Sequence, residues 1–190
     1  MVLTGLEILE QINLGSIAIS DFDQKRLNPN SYNLRLHNEL KVYDFDIIKY
    51  ENDNNGQAIL DMKVKHPTTS LIIPDEGLIL WPNILYLGRT MERTKTIGFC
   101  PQIEGRSSIG RLGIDIHKTA GWGDDGFDNF WTLEIVVTHP VRVYPFVDFC
   151  QIIYMKTFGD ASMKYKGKYQ ATGDIDVSKI YEEFSQKTPA

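Results

Sequence analysis

Between Ser70 and Thr157 the chain never runs far without a turn residue, and that rhythm restricts its fold more than any other feature. The runs are Ser70–Pro74, two stretches within Gly77–Leu87 separated at Pro82, Thr96–Ile103, Leu112–His117, Trp131–Thr138, Val141–Tyr144 and Phe149–Thr157. Each is short, rich in β-branched or aromatic residues and bounded by turn residues, a pattern that predicts many short strands in an all-β barrel or sandwich. Upstream, Ile17–Ile19 begins extended structure. Leu27–Leu36 passes from a Pro/Asn turn into an alternating strand with Leu34 and Leu36 on one face, Asn33 and Arg35 on the other. Lys41–Tyr50 continues in β-rich composition, and Glu51–Gly56 reads as an exposed polar loop. Helix is expected only near the ends. Thr4 caps a helix carrying Leu6, Ile8, Leu9 and Ile12, with Glu7 completing a capping box and Gly15 as the stop. A second short helix is predicted over Asp176–Gln186 from Ile180, Tyr181 and Phe184.

At 190 residues the chain can build one sizeable core. A net charge of −5 argues against general binding of nucleic acid or an anionic membrane, while leaving room for a local basic pocket. No apolar run approaches the ~18 residues needed to span a bilayer. The first ten residues lack the basic-then-apolar pattern of a signal peptide. Cys100 and Cys150 lie far apart in apolar runs, which suits buried free thiols in a reducing cytosol, with one disulfide as the alternative. A cytoplasmic protein folded as one unit is the expectation.

Four segments carry residues that could do chemistry. Glu104–Gly113 holds Arg106, Ser107, Ser108 and Arg111 among three glycines, and reads either as a charged turn or as an anion cradle. Thr119–Phe127 is a glycine-rich turn with Asp124 and Asp125. Glu134 interrupts the apolar run Trp131–Ile135. Alternation puts it with Thr132 and Val136, opposite Leu133 and Ile135, which favours an exposed carboxylate over one held in a lined pocket as a general base. Lys164–Gln170 is basic and aromatic, either a solvated tail or an arm that closes on an anionic ligand. His117 and His139 fit no common zinc spacing with the cysteines or acids, so each reads as a hydrogen-bonded structural histidine. The zinc nucleobase-deaminase signature is absent.

Taken in order, Leu3-Thr-Gly, Asn28–Leu36, Glu104–Gly113, Thr119–Asp124, Thr132-Leu-Glu134, the Gln151 strand and Lys164-Tyr165 resemble the dCTP deaminase branch of the dUTPase superfamily, over nearly the whole chain. The serine-arginine segment paired with a downstream Thr-Leu-Glu is the specific part. The resemblance implies a mainly β fold, a dUTPase-like distorted jelly-roll β-barrel with short N- and C-terminal helices. It implies one domain over 1–190, with 160–190 as an arm closing over the nucleotide. It also implies a homotrimer with active sites at subunit interfaces, dCTP and dUTP as partners, no zinc, and Mg2+ accompanying the triphosphate.

In this likeness Glu134 becomes the general base that activates water against cytosine C4, with Ser107 and Arg111 positioning that water and stabilising charge. Arg106, Ser108, Lys164, Tyr165 and, less directly, Lys168 hold the triphosphate. Thr119, Ala120, Trp122 and Gln151 complete the substrate contacts, and Asp124 stands where dUTPases place the aspartate that orients the water attacking the α-phosphate. Gly121-Trp122 after Thr-Ala resembles the members that continue to dUMP. The alternatives are a deaminase that releases dUTP and a silent nucleotide-binding regulator. Gly123, Asp125, Asn129 and Asn33 depart from the family pattern, where Ile or Val, Pro or Ala, Gly and Asp are usual.

Overall fold

The structure is a computed structural model that describes residues 1–51, 58–160 and 162–185. The chain enters through helix α1 (Gly5–Asn13), where Thr4 Oγ1 accepts the Glu7 N–H at 3.2 Å and Gly15, at φ +79°, ends the helix. The capping box is half made, because the Glu7 carboxylate accepts from the Gln11 amide four residues on. α1 buries Ile8 in the core.

Among the described residues the strands are β1 (Ile17–Ile19), β2 (Tyr32–Tyr43), β3 (Thr68–Ile72), β4 (Leu78–Leu80), β5 (Tyr86–Thr96), β6 (Phe99–Gly105), β7 (Ile114–Asp115), β8 (Asp128–Val137), β9 (Val141–Val143) and β10 (Asp148–Lys156). All pairings are antiparallel. The main sheet runs β6-β10-β2-β5-β8-β7, with β1 added to β5 and β3 to β2, while β4 and β9 form a separate ribbon. The two ends of that strand path, β6 and β7, are consecutive in sequence. The serine-arginine segment joins them through helix α3 (Ser107–Gly110), so the sheet curls toward a barrel and this segment spans the gap. The fold is the β-barrel class that the strand rhythm predicts.

Alternation along β8 builds the core. Leu133, Ile135 and Val137 point inward and join Leu34, Leu36 and Leu40 of β2 and Ile152 and Tyr154 of β10. Each such aliphatic side chain contributes about 1.5–3 kcal/mol by leaving water. Glu92 is fully buried, and its carboxylate is satisfied by Arg35, whose Nε donates at 2.6 Å and backbone N–H at 2.9 Å. Cys100 and Cys150 are free thiols.

Two elements depart from the sequence expectation. β2 stops at Tyr43, and helix α2 (Phe45–Glu51) replaces the extended structure expected to Tyr50. Asp44 is the reason: its Oδ1 accepts the Ile47 N–H at 3.1 Å and its carbonyl the Ile48 N–H, an N-cap that outweighs the β-branched composition. The expected loop at 51–56 begins on the last residue of that helix, and its remainder lies outside the described residues. The final helix, α4 (Tyr181–Ser185), is shorter than the expected Asp176–Gln186; Gln186 lies outside the described residues. Residues 175–176 are committed to the barrel instead. Ile175 is buried and its carbonyl accepts Lys41 Nζ at 3.3 Å, while the Lys179 N–H, which would close a first helical turn onto that carbonyl, donates to the Tyr169 hydroxyl at 3.1 Å.

Candidate active site

The outer face of β8 carries Thr132, Glu134 and Val136, each half-buried. Water does not cover this face. The turn at 119–127 folds over it from one side, and residues 165–178 cross it from the other. They enclose a cavity of about 440 Å³. Glu134 and Thr132 form part of its floor together with Leu87, the β5 partner of Glu134. Ala120, Trp122, Gly123 and Asp124 supply one wall, and Tyr165, Tyr169, Asp176, Val177 and Ser178 the other. The alternation argument therefore placed Glu134 on the correct face, and the chain itself turns that face into a lined pocket.

Glu134 is held at both ends. Its backbone N–H donates to the Ile116 carbonyl at 3.0 Å, and its Oε2 accepts the Lys118 N–H at 2.8 Å. The strand leading into the 119–127 turn thus orients the carboxylate. Trp131 donates its indole N–H to Thr94 Oγ1 at 2.8 Å and packs on Phe127, with ring centroids 4.7 Å apart. Phe130, also in the cavity wall, is backed by the Arg89 guanidinium at 4.3 Å from its centroid. Arg89 in turn meets His37 Nε2 at 2.8 Å. Burial, and then the Arg89 charge, hold His37 below its ordinary value, which keeps that imidazole a neutral acceptor.

The lining is aromatic, aliphatic and acidic. Asp124, Glu134 and Asp176 contribute carboxylates, and none of the described residues that line the cavity is Lys or Arg. Such a chamber suits a neutral, hydrogen-bonding, stackable group and repels a polyanion. Neither cysteine is among the described residues that line the cavity. Burial pushes both cysteines up, and Asp124 and Asp125 push Cys100 further.

The structure brings Glu134, Asp124, Ala120, Trp122 and Tyr165 to one cavity. The other sequence-derived candidates lie off it. Ser107, Ser108 and Arg111 are exposed on and beside α3, and Thr119 is exposed just before the cavity wall. Arg106 donates to the Asp148 carbonyl at 2.6 Å. Gln151 accepts from Ser31 Oγ at 2.7 Å and donates to the Gly105 carbonyl at 2.9 Å, bracing the root of the serine-arginine segment. Lys164 pairs with Asp125 at 2.6 Å, and Lys168 with Glu183 at 2.7 Å. His139 meets Thr138 Oγ1 at 3.0 Å. His117 differs from expectation, since its buried Nδ1 has no hydrogen-bond partner among the described residues, and the ring lies against Gly121.

Sequence reasoning missed Tyr43, Leu85, Leu87, Tyr169 and Asp176 as wall residues. Tyr169 lies in the Lys164–Gln170 run; the others have only a three-dimensional signal, because they reach the cavity from β2, the start of β5 and the C-terminal segment.

A curled antiparallel barrel that holds a carboxylate-floored chamber apart from an arginine-serine segment is the barrel class that the sequence resemblance implies. More particularly, residues 2–157 match the dCTP deaminase-like family, and the chain belongs to it. It is 51% identical over 187 residues to a protein of Leptospira biflexa named "dCTP deaminase, dUMP-forming", covering 98% of this chain and 100% of that one. Proteins of the same name from Clostridium beijerinckii (51% over 187 residues) and Cytophaga hutchinsonii (50% over 186 residues) are covered to the same extents. Among solved structures, the 2'-deoxycytidine 5'-triphosphate deaminase from Agrobacterium tumefaciens superposes with a TM-score of 0.61 at 18% identity. That likeness covers 82% of this chain and 48% of the other, so this chain spans about half of it.

Proposed function

We propose that this chain deaminates dCTP at cytosine C4 and hydrolyses the resulting dUTP to dUMP and diphosphate. The observation that carries the reading is Glu134, an oriented carboxylate on the floor of a chamber without lysine or arginine, in a chain half identical over its full length to proteins named for this reaction. Among the described residues no helix is long and apolar enough to cross a membrane. The free thiols suit the reducing cytosol, where we place the enzyme.

The chamber takes the base and sugar. Glu134 accepts a proton from water as the water oxygen bonds to C4. It then delivers that proton to the exocyclic nitrogen, the C4–N bond breaks and ammonia leaves. The oxygen remains as the C4 carbonyl, and the water's second proton ends on the ring nitrogen N3. In the second step water attacks the α-phosphorus, the bond to the diphosphate oxygen breaks, and Asp124, on the chamber wall beside Trp122, orients the sugar and that water.

The triphosphate must lie outside an acidic chamber, and the groups suited to it are Arg106, Ser108 and the arm residues Lys164, Tyr165 and Lys168. Ser107 and Arg111 are exposed and do not line the Glu134 chamber of their own chain. We therefore assign them to the chamber of a neighbouring copy in a homotrimer, where they position the water and stabilise charge on the ring. Among the described residues no group of three or more His, Cys, Asp or Glu could hold a metal ion. Mg2+ accompanying the triphosphate would be held by the phosphate oxygens and water and would neutralise phosphate charge.

Glu134→Gln tests the reading. Ammonia release from dCTP should fall by at least ~10²-fold, the worth of a general base, while nucleotide binding persists. Unchanged ammonia release would remove Glu134 from the mechanism.

A further inference from the structure

Asn33 is almost fully buried where β2 meets β10, and its amide joins three parts of the chain. Its Oδ1 accepts Asn28 Nδ2 at 2.8 Å, and its Nδ2 donates to Asp148 Oδ2 at 3.1 Å. The other carboxylate oxygen, Asp148 Oδ1, accepts Arg26 Nε at 3.0 Å. Asp148 stands at a bulge. It lies opposite Arg35 while Cys150 lies opposite Leu34, so Phe149 is the extra residue of β10 and the ladder is locally disrupted. At this point the Asp148 carbonyl accepts Arg106 Nη1 at 2.6 Å. Arg106 also opens α3, because its own carbonyl accepts the Ile109 N–H at 3.0 Å and the Gly110 N–H at 2.9 Å. Whatever fixes the Asp148 backbone therefore fixes the start of the segment that carries Ser107, Ser108 and Arg111.

We propose that Asn33 and Asp148 are a matched pair of positioning residues. The neutral Asn33 amide and Arg26 clamp the Asp148 carboxylate, the clamp holds the bulge, and the carbonyl at the bulge sets the place of Arg106. A guanidinium carries several N–H donors, so one spent on Asp148 leaves others for phosphate. The pair works only with a donor on one side and a carboxylate on the other. A second carboxylate at position 33 would face Asp148 in a nearly buried site, where two like charges do not coexist without a shared proton. Reversing the pair keeps every bond, since Asn28 and Arg26 are donors and still meet an oxygen. The consequence for the triphosphate rests on the deaminase reading; the linkage from Asn33 to the segment does not.

Asn33→Asp and the exchanged double variant Asn33→Asp/Asp148→Asn test the pair. At about pH 8 the amides of 109–113 should exchange about tenfold faster or more in Asn33→Asp than in wild type, and the double variant should restore their protection. Peptides from β5 and β8 report whether each variant is folded. The KM of Asn33→Asp for dCTP in ammonia release, compared with wild type at the same pH, should match it at about pH 5, where the two carboxyls share a proton. It should rise about tenfold by about pH 8, where the second charge forms, with kcat changed less. Should Asn33→Asp fail to fold, Asn33→Leu carries the test: it removes the donor and adds no charge, so exchange and KM should rise without that pH dependence. Wild-type exchange at 109–113 in these single variants, or no recovery in the double variant, would overturn the proposal, as would a loss carried by kcat with KM unchanged. Absence of ammonia release from the wild type would instead strike the deaminase reading and leave the exchange result standing.

Discussion

At position 123 a β-carbon would lie 2.4 Å from the Trp131 ring and 2.9 Å from Pro101 Cγ, and neither neighbour can move cheaply. Trp131 is buried, bonded to Thr94 and packed on the tilted Phe127 ring, so its ring already occupies the space that an Ile or Val at this position would need. Gly123→Ile should cost about 1–3 kcal/mol by overpacking and displace the wall that carries Asp124. Denaturant unfolding should show the lower stability, and formation of dUMP should fall with it. Stability equal to wild type would mean that Trp131 has room to yield. The same residue-scale geometry separates the candidate carboxylates. Asp125 is consumed by Gly98 and Lys164, whereas Asp124 and Glu134 line the chamber.

In the proposed reaction the turn at 119–127 and β8 divide the two half-reactions, with Asp124 on the wall and Glu134 on the floor. Asp124→Asn should leave ammonia release largely intact and stop the second step, so that dUTP accumulates where wild type yields dUMP, as resolved by ion-exchange chromatography. Continued dUMP formation would free Asp124 of that role. At this scale the letters of the chain show some elements well. The Leu133, Ile135 and Val137 face of β8 is plain from alternation, as is the capped start of α1. They mislead where one contact outweighs composition: Asp44 starts a helix in a β-rich run, and the Tyr169 hydroxyl takes the Lys179 N–H that a helix from Asp176 would use. The chamber was legible through Glu134 and the turn carrying Asp124, and, by resemblance, through Ala120, Trp122 and Tyr165. The rest of its far wall includes Tyr43 and Asp176, residues with no local mark of a site, and Asp176 is brought over β8 by a contact to Thr132, 44 positions away in sequence.

For the whole molecule, the β6–α3–β7 connection carries Ser107 and Arg111 across the gap in the barrel, exposed and away from their own chamber. If a neighbouring copy receives them, two inactive proteins should complement each other. Ser107→Ala and Glu134→Gln, mixed equally, dissociated and reassembled, should recover about a quarter of wild-type ammonia release, because a random trimer places the two intact partners at one interface in four. No recovery after demonstrated subunit exchange would put both residues in one subunit's site. The barrel itself was legible from the spacing of short strands, while its closure by the serine-arginine segment depends on strand order, which spacing does not encode. The central claim, conversion of dCTP to dUMP, is tested most directly by incubating the wild-type protein with dCTP and Mg2+ and measuring ammonia, dUTP and dUMP together over time. The account requires ammonia and dUMP in equal amounts with little dUTP. Accumulation of dUTP without dUMP would contradict the second step, and the absence of ammonia would contradict the account as a whole.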